Sequence, residues 1–130
     1  MKPELEQQLY DEFPDLFADR NKPETRSLMC YGVGVGDGWY NILHRLCEKI
    51  IEIDTNKKFR FFQIKEKFGQ LRIYGADDGG TLKIYDLISQ AENESSKTCE
   101  YCGTIEDVTS SGRWIKTLCA ECRKDNKWRN

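Results

Sequence analysis

Two Cys-x-x-Cys pairs, Cys99-Glu100-Tyr101-Cys102 and Cys119-Ala120-Glu121-Cys122, stand sixteen residues apart near the end of this chain. That separation falls within the window of a four-cysteine zinc site. Each pair can turn two sulfurs toward one point, and two such knuckles complete a tetrahedral shell. The spacing therefore predicts Zn2+ held by Cys99, Cys102, Cys119 and Cys122. Four thiolates leave the metal no open position, so its expected role is structural. Disulfides are the competing use of these residues. The N-terminus, Met1-Lys2-Pro3-Glu4-Leu5-Glu6, lacks the apolar stretch of a secretory signal. A cytoplasmic location is therefore expected, and there thiols stay reduced.

The residues around the pairs predict the rest of the module. Gly103 suits a knuckle that needs positive φ. Ile105 to Val108 and Arg113 to Leu118 read as two arms of a hairpin across Ser110-Ser111-Gly112. Arg123 to Trp128 reads as a short helix. Knuckle, hairpin and helix follow the treble-clef order; a zinc ribbon, which would continue into a strand, is the alternative.

Upstream, the pattern predicts an α+β fold: a small antiparallel hairpin packed with two amphipathic helices. Three parts are expected: an N-terminal helical cover or arm over 1–27, an α-β-β-α core over 28–96, and the zinc module over 97–130. In the first part, Leu5, Leu9, Phe13, Leu16 and Phe17 form an apolar stripe broken at Pro14. Trp39 to about Ile53 is the clearest helix, with Tyr40, Leu43, Leu46, Cys47, Ile50 and Ile51 on one face. Phe59 to Glu66 and Leu71 to Tyr74 read as strands joined at Lys67-Phe68-Gly69-Gln70. Phe59, Phe61 and Gln63 fall on one side of the first strand, and Arg60, Phe62 and Ile64 on the other. Asp77-Asp78-Gly79-Gly80 breaks the chain before a helix from Thr81 to about Glu94, with Leu82, Tyr85, Ile88 and Ala91 inward, supported by Ile84 and Leu87. No run of about 18 apolar residues suggests a membrane-spanning helix.

Gly32-Val33-Gly34-Val35-Gly36-Asp37-Gly38 invites a phosphate-loop reading and fails it. The spacing matches neither nucleotide fingerprint, and Asp37 would repel a phosphate. A flexible turn with Asp37 capping the next helix is expected instead.

Charge narrows the functional classes. With 20 Lys and Arg against 22 Asp and Glu, the net charge of −2 argues against a general nucleic-acid coat. The module is the least acidic part, so Arg113, Lys116, Arg123, Lys124 and Lys127 form one candidate nucleic-acid patch. Around the hairpin, Lys65, Lys67, Arg72 and Lys83 interleave with Phe59, Phe61, Phe68 and Tyr74. Such a mixture can stack bases, although Glu66, Asp77 and Asp78 offset its field. A catalytic reading would use Cys47 and His44, three apart on one helix. A core role suits Cys47 better, since buried free cysteine behaves as a small hydrophobe, and Cys30 is read the same way.

Gly36 to Tyr40, Gln63 to Tyr74, Cys99 to Gly103, and Trp114 to Cys119 stand in this order along the chain. Together they resemble a group of small, mostly uncharacterised proteins of bacteriophages, prophages and bacteria. The resemblance brings no assigned reaction and implies a genomic setting in which accessory proteins act on host machinery, including CRISPR–Cas nucleases. The expectation is a non-enzymatic, zinc-stabilised interaction protein that binds a host protein complex and inhibits a defence nuclease in one concrete version. Trp39, Phe68, Trp114 and Trp128 are the expected anchors, since aromatics dominate interface energetics. A nucleic-acid-binding accessory factor is the alternative.

Overall fold

Val33 and Gly34 form a two-residue strand, β1, and this short piece decides the topology. In a computed structural model describing residues 1–75 and 82–125, β1 runs parallel to β2 (Phe61–Lys67). Parallel neighbours need a crossover connection, and helix α2 (Tyr40–Ile53) supplies it. β3 (Gln70–Gly75) then returns antiparallel to β2, giving the sheet order β1-β2-β3. The glycine-rich segment expected as a turn thus contributes an edge strand.

The hairpin closes through Phe68 and Gly69, whose φ values of +53° and +79° are those a two-residue hairpin turn requires. Glycine adopts this region freely; a bulky aromatic does not. Farther along β2 the register slips between Phe61 and Gln63. This β-bulge inserts one residue and reverses the phase of alternation. Phe59 and Phe61 point into the core, but after the bulge Ile64, from the other expected side, and not Gln63 is the buried residue.

Two helices cover the inner face. On α2 the buried residues are Ile42, Leu43, Leu46, Cys47 and Ile50, whereas Ile51 is exposed. Helix α3 (Leu82–Ser95) buries Ile84, Ile88 and Ala91 as expected, with Leu87 against the core, but it also buries Ser95 and leaves Leu82 and Tyr85 exposed. Polar bonds help set this orientation. Ser95 Oγ accepts the Leu71 N–H at 3.0 Å, and Glu92 Oε2 accepts the Ile73 N–H at 3.0 Å. The expected break at Asp77-Asp78-Gly79-Gly80, with Thr81, lies outside the described residues.

The N-terminal segment is a cover. Helix α1 (Pro3–Glu12) ends before Pro14, and Leu9, Tyr10, Phe13, Leu16 and Phe17 join the same core cluster as the sheet. Phe17 meets Phe61 at a centroid distance of 5.1 Å, and the Phe61 N–H donates to the Leu16 carbonyl. Asp37 does not cap α2; its Oδ1 accepts the Lys2 N–H at 2.8 Å and so ties α1 to the glycine segment. Cys30 is exposed rather than core, because a 3-10 turn at Met29–Tyr31 buries Met29 and leaves the next two side chains outside.

Beyond α3 lies a second, smaller sheet. β4 (Val108–Ser111) pairs antiparallel with β5 (Lys116–Cys119), and helix α4 (Ala120–Asp125) follows at once. The turn falls at residues 112–115, later than expected, so Arg113 and Trp114 belong to the tip and not to a strand. Knuckle, hairpin and helix occur in treble-clef order. No described helix is long and apolar enough to cross a membrane.

Candidate metal centre

Four sulfurs converge where the spacing placed them. The Sγ atoms of Cys99, Cys102, Cys119 and Cys122 all lie within 4.8 Å of one another. A tetrahedral zinc with bonds of about 2.3 Å has sulfur–sulfur edges of about 3.8 Å. Cys102 and Cys119 are 3.7 Å apart, which matches such an edge. The two half-sites share one local design. The Cys102 N–H points at Cys99 Sγ at 3.5 Å, and the Cys122 N–H at Cys119 Sγ at 3.4 Å. Gly103, at φ +84°, closes the first knuckle by donating its N–H to the Cys99 carbonyl. In the second pair, α4 supplies the turn that brings Cys122 back beside Cys119. Burial pushes the Cys99 thiol up, but backbone N–H donors outweigh it and bring it to about 7. That lowering favours the thiolate, the form that ligates metal. All-sulfur donors at these separations fit a thiophilic metal ion.

The centre is seated on the core by the glycine segment. A Cβ on Gly36 would lie 2.4 Å from the Glu100 carbonyl oxygen, and one on Gly38 would lie 2.1 Å from that of Cys99. The Gly38 N–H donates to the Glu100 carbonyl at 2.8 Å, and the Gly36 N–H to Glu100 Oε2 at 3.0 Å. These glycines serve close backbone approach to the first knuckle, which is why they precede α2 without cradling phosphate. Trp39 completes the seat. It is fully buried, and its indole N–H donates to the Thr98 carbonyl at 2.9 Å. Trp39 is therefore corrected from partner anchor to internal strut; it lies under the knuckle, where no partner reaches it.

Two expected nucleic-acid contacts are likewise spent inside. Lys116 Nζ lies 3.3 Å from Glu66 Oε1 and 3.5 Å from Glu100 Oε1, with its side chain only 20 % exposed. Burial pushes the Glu100 carboxyl up, while the Lys116 ammonium and the Gly36 N–H draw it back. Arg123 donates to the carbonyls of Ser111, Thr109 and Lys116, clamping the small sheet. Both are corrected to structural cations. Arg113 and Lys124 are exposed, and Lys127 and Trp128 lie outside the described residues.

Phe68 and Trp114, far apart in sequence, are brought together. They are 70 % and 76 % exposed and line one groove of about 460 Å³ with Glu66, Lys67, Arg113 and Ile115. Thr117 fastens the two hairpin tips by donating its hydroxyl to the Gly69 carbonyl. Sequence reasoning named both aromatics but had no signal for their meeting. Thr117 and Glu100, which make that meeting possible, carried none either.

The Cys47–His44 pair does not assemble as a nucleophile and base. Cys47 is fully buried, and burial pushes its thiol far up. The His44 ring nitrogens go instead to Glu12 at 2.8 Å and Glu48 at 3.2 Å. The hydrogen bond to Glu12 is the main cause raising the imidazole above its usual 6.5. A raised folded-state value stabilises the fold below the unfolded pKa, and this contribution disappears as pH rises through the folded value. An NMR titration of His44 should give a midpoint above 6.5 that falls in Glu12→Gln.

No known protein family, curated protein or solved structure matches this chain.

Proposed function

We propose that this chain is a non-enzymatic interaction protein in which structural zinc holds a two-hairpin docking tip in shape. The all-sulfur donor set supports zinc in a closed shell, since four thiolates saturate tetrahedral zinc and leave it no position for substrate. The observation that carries the docking reading is the shared groove of Phe68 and Trp114. Phe68 keeps a bulky side chain at φ +53° in the turn, where Asn or Gly would be easier. Strain of this kind persists where a side chain is needed for another purpose. The partner is a protein complex of the host, of which a CRISPR–Cas defence nuclease is one concrete case.

Trp114→Ala and Phe68→Asn test this directly. Capture on the parent protein should recover a stoichiometric protein partner, and Trp114→Ala should lose it with the fold intact. Phe68→Asn should lose the same partner while raising stability by about 1 kcal/mol, because left-handed backbone strain is relieved. Urea unfolding reads the second effect. A partner retained equally by both variants would overturn the assignment.

A further inference from the structure

The outer face of the β1-β2-β3 sheet is polar and cationic. Alternation after the bulge places Gln63, Lys65 and Lys67 of β2 on this face, opposite Tyr74, Arg72 and Gln70 of β3. Gly34 of β1 is the neighbour of Lys65. Among the described residues this face thus carries three cations and no carboxylate, in a chain whose net charge is −2. None of these six β2 and β3 residues is buried, whereas Ile64, Leu71 and Ile73 on the opposite face belong to the core.

Among the described residues, three details leave this face without internal neutralisation. Lys65 and Arg72 are direct cross-strand partners, an arrangement of like charges that weakens a sheet. Among the described residues, no carboxylate pairs with Lys65, Lys67 or Arg72. Glu66, the one acid in these strands, turns inward to the Gly69 N–H and Lys116. The Arg72 Nε is buried and has no hydrogen-bond partner. Two of the cations lie against rings: Lys65 Nζ is 5.8 Å from the Tyr74 centroid, and Lys67 Nζ is 5.6 Å from that of Phe68. Tyr74 is 45 % exposed, so its ring is reachable from solvent.

We propose that this sheet face binds single-stranded nucleic acid. Phosphates would lie along Lys65, Arg72 and Lys67, and bases would stack on Tyr74 and, at the turn, Phe68. Cations that track a backbone beside accessible rings are the general design of single-strand binding. A strand of six or seven residues spans about 20 Å, enough for a few nucleotides. Gln63 can read base edges without adding charge. The surface differs from the C-terminal basic patch expected from sequence, which loses Lys116 and Arg123 to internal bonds. It shares Lys67 and Phe68 with the docking groove but does not rest on the protein-docking reading, because Lys65, Arg72 and Tyr74 lie outside that groove and Trp114 takes no part.

Fluorescence anisotropy with a labelled oligodeoxythymidine, at two salt concentrations, provides the test. The full-length, metal-loaded protein should bind, and binding should weaken steeply with salt. Lys65→Gln with Arg72→Gln should cost about tenfold or more and lower the salt slope by about 1.4, near 0.7 per cation. Tyr74→Ala should cost about fivefold or more through lost stacking. Trp114→Ala should leave oligonucleotide binding unchanged. Lys65→Gln alone should fold at least as well as the parent, since it removes a like-charge contact, so loss of binding there is not loss of fold. No oligonucleotide binding at low salt would overturn the proposal. So would binding indifferent to both glutamines, or a poly-glutamate peptide that binds this face while the oligonucleotide does not.

Discussion

Metal removal is expected to unfold residues 97–125 and to loosen the core beneath them. The reason is the module's own poverty of apolar contacts. Its cluster holds Leu118 and the flanking Val108 beside three of the four ligating cysteines. Two aliphatic side chains are too little apolar burial to offset the conformational entropy lost in ordering the segment. Metal binding to four thiolates is then the main favourable contribution, because binding free energy at such a site appears as folding free energy. Trp39 is the right reporter because it is fully buried and bonded to the residue preceding Cys99. Trp114, at 76 % exposure, would register little. Chelation, or Cys99→Ser, should shift Trp39 emission to longer wavelength and release one metal ion per chain, which elemental analysis identifies. A metal-free protein with unchanged Trp39 emission would refute the structural role.

Gly38→Ala should be nearly as damaging, although it adds a single methyl group. The added Cβ would stand 2.1 Å from the Cys99 carbonyl oxygen and 2.7 Å from the Glu100 carbonyl carbon. Both are backbone atoms of the knuckle, so no side chain can swing aside. Overpacking of this kind costs about 1–3 kcal/mol where neighbours can adjust, and more where they cannot. The knuckle can yield only by displacing Cys99, so metal affinity should fall with stability. Urea unfolding and a chelator competition would measure the two losses together. Gly34→Ala is the comparison, since its nearest contact is the Ile64 carbonyl at 3.2 Å. It should cost distinctly less and leave the metal untouched.

The features legible in the sequence were those written within a few residues. The Cys-x-x-Cys spacing is local, and all four ligands converge as read. The 3.6-residue period of α2 and the turn residues Phe68-Gly69 are local too. What escaped depends on partners distant in the chain. β1 is two residues long, and its strand character exists only through Ile64 and Lys65. The bulge in β2 moves the buried face because β3 lacks the matching residue. The interior place of Trp39 follows from the knuckle resting on Gly36 and Gly38. Lys116 and Arg123 look like surface cations in sequence, since nothing nearby announces Glu66 or the carbonyls of the small sheet.

The bonds from α3 to β3 have one more effect. β3 is the last strand of its sheet, and such a border ordinarily presents free amides that recruit strands from other molecules. Ser95 and Glu92 occupy the amides of Leu71 and Ile73. The helix therefore guards against aggregation as well as covering the interior. A chain carrying Ser95→Ala and Glu92→Ala should self-associate before it unfolds.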